Sequence, residues 1–434
     1  MKRWIGALLG LALTMSTAMA EAESVQAMTE QTAHQLMEGN FVAIEAQLDD
    51  TMCAAVDEQT LASGWEMMTE QLGVCTGLTA VQADETARAG AAVLAHERGT
   101  SLLSVAYDAQ GRISSLFLAP RAEQPLALER SLPDGAQALP VTLFAGTDHE
   151  MTGEVIVPAG ADADTPYIVM AQGSGPSDMD ETIGGNKPFR DLAYDLAALG
   201  VGSIRHDKIT YAHPTRPCET VDQEYLEPVR EALDVLRAQT DARRVYLLGH
   251  SEGGMITPYL VQACGFDGGI CVAGTPLTLW EIALMQNRAV LQALEGPQRG
   301  AMMAQLEAEE AKGRRLLEMS DEEAAGETVL GISAVYLRHM ARMDQVQMAK
   351  DCGKPFLFLW GERDFQVERT AFEAWQERLG DAPRFTYRTY PGLNHLMMPA
   401  GEQDSILNAQ AAYLEPKAVD AQVAADIAAW MMEQ

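Results

Sequence analysis

The apolar run Val245-Tyr246-Leu247-Leu248 leads directly into Gly249-His250-Ser251-Glu252-Gly253, and helix-compatible sequence follows from Gly254 to Cys264. A chain reading strand, Gly-x-Ser-x-Gly, helix is constrained to a sharp turn that pushes the serine out beyond the carboxyl end of the strand. The apex residue must adopt a strained backbone, and only residues with almost no side chain fit on either side of it. Such a turn presupposes a sheet edge from which to project.

The surrounding pattern supplies that sheet. From Val141 onward, strand runs (Val155-Ile156-Val157, Tyr167 to Ala171, Val201 to Arg205, Val245 to Gly249, Gly269 to Ala273, Phe356 to Trp360, Phe385 to Tyr390) alternate with helical stretches. This alternation predicts a mostly parallel sheet with helices on both faces, in which ligands bind at the carboxyl ends of the strands. Between Pro276 and Lys350 the alternation gives way to helical sequence rich in Met, Leu, Glu and Arg. Its place after the sixth strand makes it a cap over the site. Two roles stay open for its methionines: the cap's own core, or the lining of an acyl pocket. Arg288, Arg314, Arg315, Arg338 and Arg342 fit solvated helix faces, and any one of them is also a candidate anchor for a substrate carboxylate.

Upstream, Thr29 to Gln47 and Asp57 to Leu72 carry helical spacing, whereas Gly90 to His96, Ser101 to Tyr107 and Ile113 to Leu118 read as strands. Asp108-Ala109-Gln110-Gly111 reads as a hairpin turn. The expected organisation is a small α+β domain over 24–120, a proline- and alanine-containing linker over 121–140 and an α/β domain over 141–434, with the cap at 276–350. Residues 1–20 match a signal peptide: Lys2-Arg3, an apolar stretch from Trp4 to Thr14 too short to span a bilayer, and Ala18-Met19-Ala20 before the cut. Export to the periplasm or the extracellular space is the expectation.

The net charge of -31 repels phosphate backbones and anionic lipid, arguing against nucleic-acid or membrane-surface partners. A hydrophobic content of 47% with clear strand runs separates this acidity from disorder. Six cysteines in an exported chain permit disulfides; Cys53 with Cys75 and Cys264 with Cys271 are the nearest pairs, and inert thiols are the alternative. No cysteine or histidine spacing suggests a metal, and no cofactor is expected.

A serine hydroxyl needs a base and a carboxylate to orient that base. After Ser251 the only histidines are His339, in helical sequence, and His395, in the loop Pro391-Gly392-Leu393-Asn394-His395 that leaves the Phe385 to Tyr390 strand. Gly361-Glu362-Arg363-Asp364 leaves the Phe356 to Trp360 strand, placing Asp364 as the acid and Glu362 as the reserve. The order Ser251, Asp364, His395, each beyond the carboxyl end of a strand, forms a candidate catalytic triad. Oxyanion donors are expected from the N–H of Glu252 and from the loop Gln172-Gly173-Ser174-Gly175-Pro176, with Ser174 first and Gly175 second.

Five stretches together resemble the bacterial carboxylesterase and serine-aminopeptidase-like branch of the α/β-hydrolases: Gly173-Ser174-Gly175-Pro176-Ser177-Asp178-Met179-Asp180-Glu181, Asn186 to Ala193, Arg205-His206-Asp207-Lys208, Gly361 to Val367 and Tyr390 to His395. The resemblance spans roughly residues 140 to 434. His206 stands where the branch usually has Tyr, Ile209 where it has Arg, and Glu252 where a small or apolar residue follows the serine. The region before it is similar to small domains of unknown function that precede some secreted hydrolases. The resemblance implies an α/β-hydrolase fold and cofactor-free hydrolysis of small carboxylic esters, or of short peptide-like amides, through an acyl-enzyme. An exopeptidase or amidase would need an acidic group to capture a substrate ammonium, and Glu252 or the Asp178 to Glu181 cluster are its candidates. A binding protein on the same scaffold would need no triad at all.

Overall fold

The computed structural model describes residues 24–53, 56–85, 88–121, 127–214, 216–293 and 299–434; the expected signal peptide, 1–20, lies outside them. The chain separates into two compact units, 1–123 and 124–434. Among the described residues no helix is long and apolar enough to cross a membrane.

The first unit packs helices against a four-stranded antiparallel meander, Cys75–Asp84, Ala89–His96, Gly99–Tyr107 and Ile113–Arg121. The helix expected over Thr29 to Gln47 is two helices, Val25–Met37 and Phe41–Glu45, because Gly39 turns left-handed (φ 71°) between them. Alternate residues of the central strands, Ala92, Leu94, Leu103, Val105 and Tyr107, form the core with Val25, Ala33 and Leu36. The hairpin at Asp108 closes as expected: its carboxylate accepts the Gln110 and Arg112 amides, and Gly111 sits at φ 80°. The strand Cys75–Asp84 has no counterpart in the sequence reading; its half-exposed, irregular pattern hides the period-two signal.

The second unit holds an eight-stranded sheet in the spatial order Phe385–Tyr390, Phe356–Gly361, Gly269–Val272, Val245–His250, Tyr167–Ala171, Gly202–His206, Met151–Val157, Gln137–Leu143. The first six are parallel to one another, and the last two pair antiparallel at the edge. The expected linker therefore ends sooner than 140. Gln137–Leu143 is a strand despite Pro140, which an edge position tolerates. Alternation splits the core into two layers: Val169, Leu247 and Phe358 face Val229, Leu233 and Ile256, while Ile168, Leu248 and Leu359 face Leu192, Leu196 and Ile427. The register sets Gly249 beside both Ala171 and Cys271, so neighbouring strands end level on one rim.

The insertion between Gly269–Val272 and Phe356–Gly361 is mainly helical: Leu279–Ala293, Arg299–Arg314, Asp321–Ala325, Ala334–Ala341 and Gln345–Asp351. It has a core of its own around Trp280, Leu284, Leu306, Leu316 and Leu337, joined by Met319, and Met340 packs on the sheet side. Arg288 and Arg314 pair with Glu310, and Arg338 pairs with Asp321. All six cysteines are free thiols, so of the two alternatives the thiols hold and neither candidate bridge is made; Cys271 is enclosed in its strand, and burial pushes its thiol pKa up.

Candidate active site

Ser251 occupies the turn between Val245–His250 and the helix Glu252–Cys264 with φ 53° and ψ -115°. A non-glycine residue held there stores about 1–3 kcal/mol of strain. Its N–H is fixed by the Val272 carbonyl (2.9 Å) and its carbonyl by the Met255 N–H (2.9 Å). The flanking glycines are required by close approach rather than by positive φ. A Cβ on Gly249 would overlap the Gly253 backbone and the Thr257 hydroxyl, and one on Gly253 would overlap the Ala171 and Gln172 carbonyls.

Asp364 lies three residues beyond the strand Phe356–Gly361 and is buried. One carboxylate oxygen accepts the Gln366 and Val367 amides (2.8 and 2.9 Å), and the other accepts Nδ1–H of His395 at 2.7 Å. Because Nδ1 is the donor to Asp364, Nε2 of His395 is left with the lone pair, the tautomer a general base requires. The loop carrying His395 is shaped by Asn394, whose side-chain oxygen accepts the Leu396 and Met398 amides, and it is tied to the acid loop by Arg363 N–H to Leu393 O at 2.9 Å. Glu362, the reserve acid, instead accepts the Thr389 hydroxyl and faces Arg369. His339 sits in the helix Ala334–Ala341, 3.9 Å from Asp222.

The loop after Tyr167–Ala171 runs against the nucleophile: a Cβ on Gly173 would stand 3.1 Å from Cβ of Ser251. The Gly173 carbonyl accepts from the ammonium of buried Lys208 (2.7 Å) and lies 3.0 Å from the Tyr225 hydroxyl. Across a trans peptide C=O and N–H point in opposite directions, so this anchor turns the Ser174 N–H away from Lys208. Gly175, at φ 82°, continues the loop, and Ser174 is exposed. The Glu252 N–H is the first of its helix and has no intrahelical acceptor.

The sequence named Lys208 and Glu252 but gave no sign that they join Tyr225, Glu224 and Tyr336 beneath this loop. Lys208 also bonds the Tyr225 hydroxyl (2.6 Å) and Glu224 (2.8 Å). The Glu252 side chain turns inward, 3.1 Å from the Tyr225 hydroxyl and accepting from the Tyr336 hydroxyl at 2.8 Å. Burial raises the Glu252 pKa against the opposing pull of Lys208 and the two hydroxyls. The signal for Lys208 stood in the Arg205-His206-Asp207-Lys208 stretch, whereas Tyr225 and Tyr336 lie on helical segments with nothing local to mark them.

This arrangement, a strained serine on a parallel-sheet rim with an acid–base pair in the two loops beyond it, is the construction of an α/β-hydrolase. A family model described as the alpha/beta hydrolase family matches residues 183–405. The chain is similar to esterase EstD of Thermotoga maritima, at 32% identity over 343 residues, 78% of this chain and 78% of that protein. Two solved structures align at lower similarity. Est1E from Butyrivibrio proteoclasticus has 13% identity and a TM-score of 0.42, covering 68% of this chain and 99% of that one. Proline iminopeptidase from Mycobacterium smegmatis has 13% identity and a TM-score of 0.41, covering 68% and 98%. The chain belongs to the alpha/beta hydrolase family.

Proposed function

We propose that this protein is a serine hydrolase that cleaves small carboxylic esters through an acyl-enzyme. The observation that carries the reading is the 2.7 Å bond from His395 Nδ1 to a carboxylate held on its other oxygen by two backbone amides, with the His395 carbonyl 3.0 Å from Nε2 of His250, the residue before a serine in the elbow conformation. In this reading His395 Nε2 removes the Ser251 proton as the hydroxyl oxygen attacks the ester carbonyl. Asp364 stabilises the imidazolium, and the amides of Glu252 and Ser174 hold the oxyanion, with Gly175 as the alternative second donor. The imidazolium then returns its proton to the leaving alcohol, and water, activated by the same base, releases the acid. Each oxyanion donor is worth about a hundred- to a thousand-fold in rate.

The ester reading is favoured over an exopeptidase by the state of the acidic groups. Glu252 is buried and engaged by two tyrosine hydroxyls. Asp178 caps Asp180 and Thr182, Asp180 pairs with Lys187 and Arg205, and Glu181 bonds Gly173 and His250. Each is thus engaged within the protein, and the one carboxylate oxygen without a partner, Oε2 of Glu181, is buried away from an incoming substrate ammonium. The similarity to an esterase supports the same choice. The test is labelling of the purified protein by a fluorophosphonate, together with turnover of p-nitrophenyl acetate and aminoacyl-p-nitroanilides. Labelling that disappears in Ser251→Ala, with ester turnover dominant, is expected; an unlabelled wild-type protein refutes the triad, and dominant anilide turnover refutes the ester preference.

A further inference from the structure

The residue between Gly249 and Ser251 has a bonding pattern that the triad does not explain. His250 is buried, and both of its ring nitrogens face oxygen acceptors: Nδ1 lies 3.0 Å from Oε1 of Glu181, and Nε2 lies 3.0 Å from the backbone carbonyl of His395. A neutral imidazole carries one N–H, so it can serve one of these acceptors and must turn a lone pair on the other. A carbonyl never donates. Two donated bonds therefore require either an imidazolium or a proton shared between the ring and Glu181.

Glu181 shows the complementary features. Its Oε1 also accepts the Gly173 N–H (2.6 Å), and its Oε2 is buried without a partner. A carboxylate with one unbonded oxygen in the interior needs a counter-charge, and the group against it that can carry one is His250, 3.0 Å away. Glu181 is also a non-glycine residue at φ 53°, a strained conformation stabilised around it by the Asp178 turn, which receives the Asp180 and Thr182 amides.

We propose that Glu181 and His250 form a buried carboxylate–imidazolium pair that positions the oxyanion loop and the base loop against the nucleophile. The inference rests on the serine-hydrolase reading and extends it. One end of the pair holds the Gly173 amide, one residue before the Ser174 donor. The other holds the main chain of His395 itself. The middle belongs to the elbow, one residue before Ser251. Three loops separated in sequence are thus set relative to one another by one pair of side chains, which act through their neighbours and do not touch the reacting atoms.

The pair has its own pH signature. Burial pulls the His250 pKa down, while the Glu181 charge and hydrogen bond, the His395 carbonyl and the Asp364 charge push it up, and the net direction is upward. The groups facing His250 are Glu181, the His395 ring at 4.8 Å between centroids, and Asp364, with Lys208 bonded to the adjacent Gly173 carbonyl. A group whose folded pKa is raised keeps its contribution below the ordinary value and loses it as pH rises through the folded one.

The test uses the full-length protein with Glu181→Gln and His250→Phe, reading kcat and KM for p-nitrophenyl acetate and the fluorophosphonate labelling rate across acid to alkaline pH, per active site. Gln keeps an acceptor for Gly173 but removes the charge, so kcat should fall progressively toward alkaline pH and the alkaline limb should shift to lower pH. Phe removes both ring donors. In that variant kcat should fall about a hundredfold at every pH with KM within about twofold, the scale of an ångström-level misplacement of catalytic groups. In nitrogen-15 NMR spectra wild-type His250, assigned by its loss in His250→Phe, should show two ring N–H signals. A single N–H, or a Glu181→Gln profile superimposable on wild type, overturns the pair. If wild-type protein resists labelling, the triad reading fails first, and separately.

Discussion

Replacing Asp364 by Asn tests the acid–base assignment with the least disturbance, because the structure dictates which way the new amide must turn. One oxygen of Asp364 accepts the Gln366 and Val367 N–H groups, so the oxygen of Asn must take that place. Its NH2 group is then forced toward Nδ1 of His395, where the Asp364 oxygen accepted a proton at 2.7 Å. Two donors cannot face each other, so Nδ1 becomes the acceptor and the single ring proton moves to Nε2, the atom that must take the Ser251 proton. Inverting the tautomer in a serine–histidine–acid constellation lowers kcat by about 10⁴-fold, or about 5.5 kcal/mol in the barrier. The assay is kcat and KM for p-nitrophenyl acetate with active sites counted by fluorophosphonate, alongside a melting curve. KM should stay within about threefold of wild type, since substrate binding is not touched. An Asp364→Asn enzyme that melts like wild type and retains kcat within about tenfold would refute the argument.

Gly249→Ala places a methyl into the Gly253 backbone and the Thr257 hydroxyl, and strand and helix cannot both give way; a loss of at least about 1–3 kcal/mol is expected in urea titration. Lys208→Met leaves the carboxylates of Glu224 and Glu252 without their buried cation and takes from the Gly173 carbonyl its charged donor, leaving only the Tyr225 hydroxyl. A stability loss of about 3–5 kcal/mol is expected, together with a lower kcat at unchanged KM, measured by denaturation and steady-state kinetics. Glu252→Gln carries a pH-dependent sign. The raised pKa means that folded Glu252 binds a proton more tightly than in the unfolded chain, so its contribution to stability is lost as pH rises above the ordinary carboxyl value. The melting temperature of Glu252→Gln should therefore gain on wild type as the pH is raised from acid to neutral, and a constant gap would contradict the buried-acid assignment.

What the sequence disclosed was what local pattern encodes. The runs Val245 to Leu248 and Phe356 to Trp360 are enclosed on both faces, so unbroken apolar stretches marked them, whereas the edge strand Phe385–Tyr390, partly exposed between buried ends, was marked by its aromatic and threonine residues; the residues beyond their carboxyl ends were candidates by position alone. Asp364 and His395 were legible for that reason. The first residues of the edge strand Gln137–Leu143, up to Pro140, were read as linker because an edge position relaxes the demand for apolar alternation and tolerates that proline. The Glu181–His250 and Lys208–Glu224–Glu252 groups were unreadable for a different reason. Their partners are 69 residues apart for the first pair and 84 for the Glu252–Tyr336 bond, and no periodicity links a carboxylate to a histidine or tyrosine on a distant element. Glu252 shows this most clearly, since in sequence it is an acidic residue beside the nucleophile and in the structure its side chain points into the protein.

That inward turn settles a conflict in the electrostatics. The amide of Glu252 is proposed to hold the oxyanion, yet the same residue carries a carboxyl group. A unit negative charge about 5 Å from the developing oxyanion, in an effective dielectric of about 20, would oppose it by about 3 kcal/mol, enough to offset one hydrogen-bond donor. Three features reduce that penalty: the tyrosine hydroxyls that engage the carboxylate, the Lys208 ammonium that opposes its charge, and burial that draws it toward the protonated form. Lys208 serves both sides of the problem, because the ammonium that offsets Glu252 also holds the Gly173 carbonyl, and with it the direction of the Ser174 N–H. If this coupling holds, Lys208→Met combined with Glu252→Gln should recover part of the kcat lost in Lys208→Met alone. The residual deficit would measure the loosened Gly173 peptide, and strictly additive losses in the double variant would show that the two effects are independent.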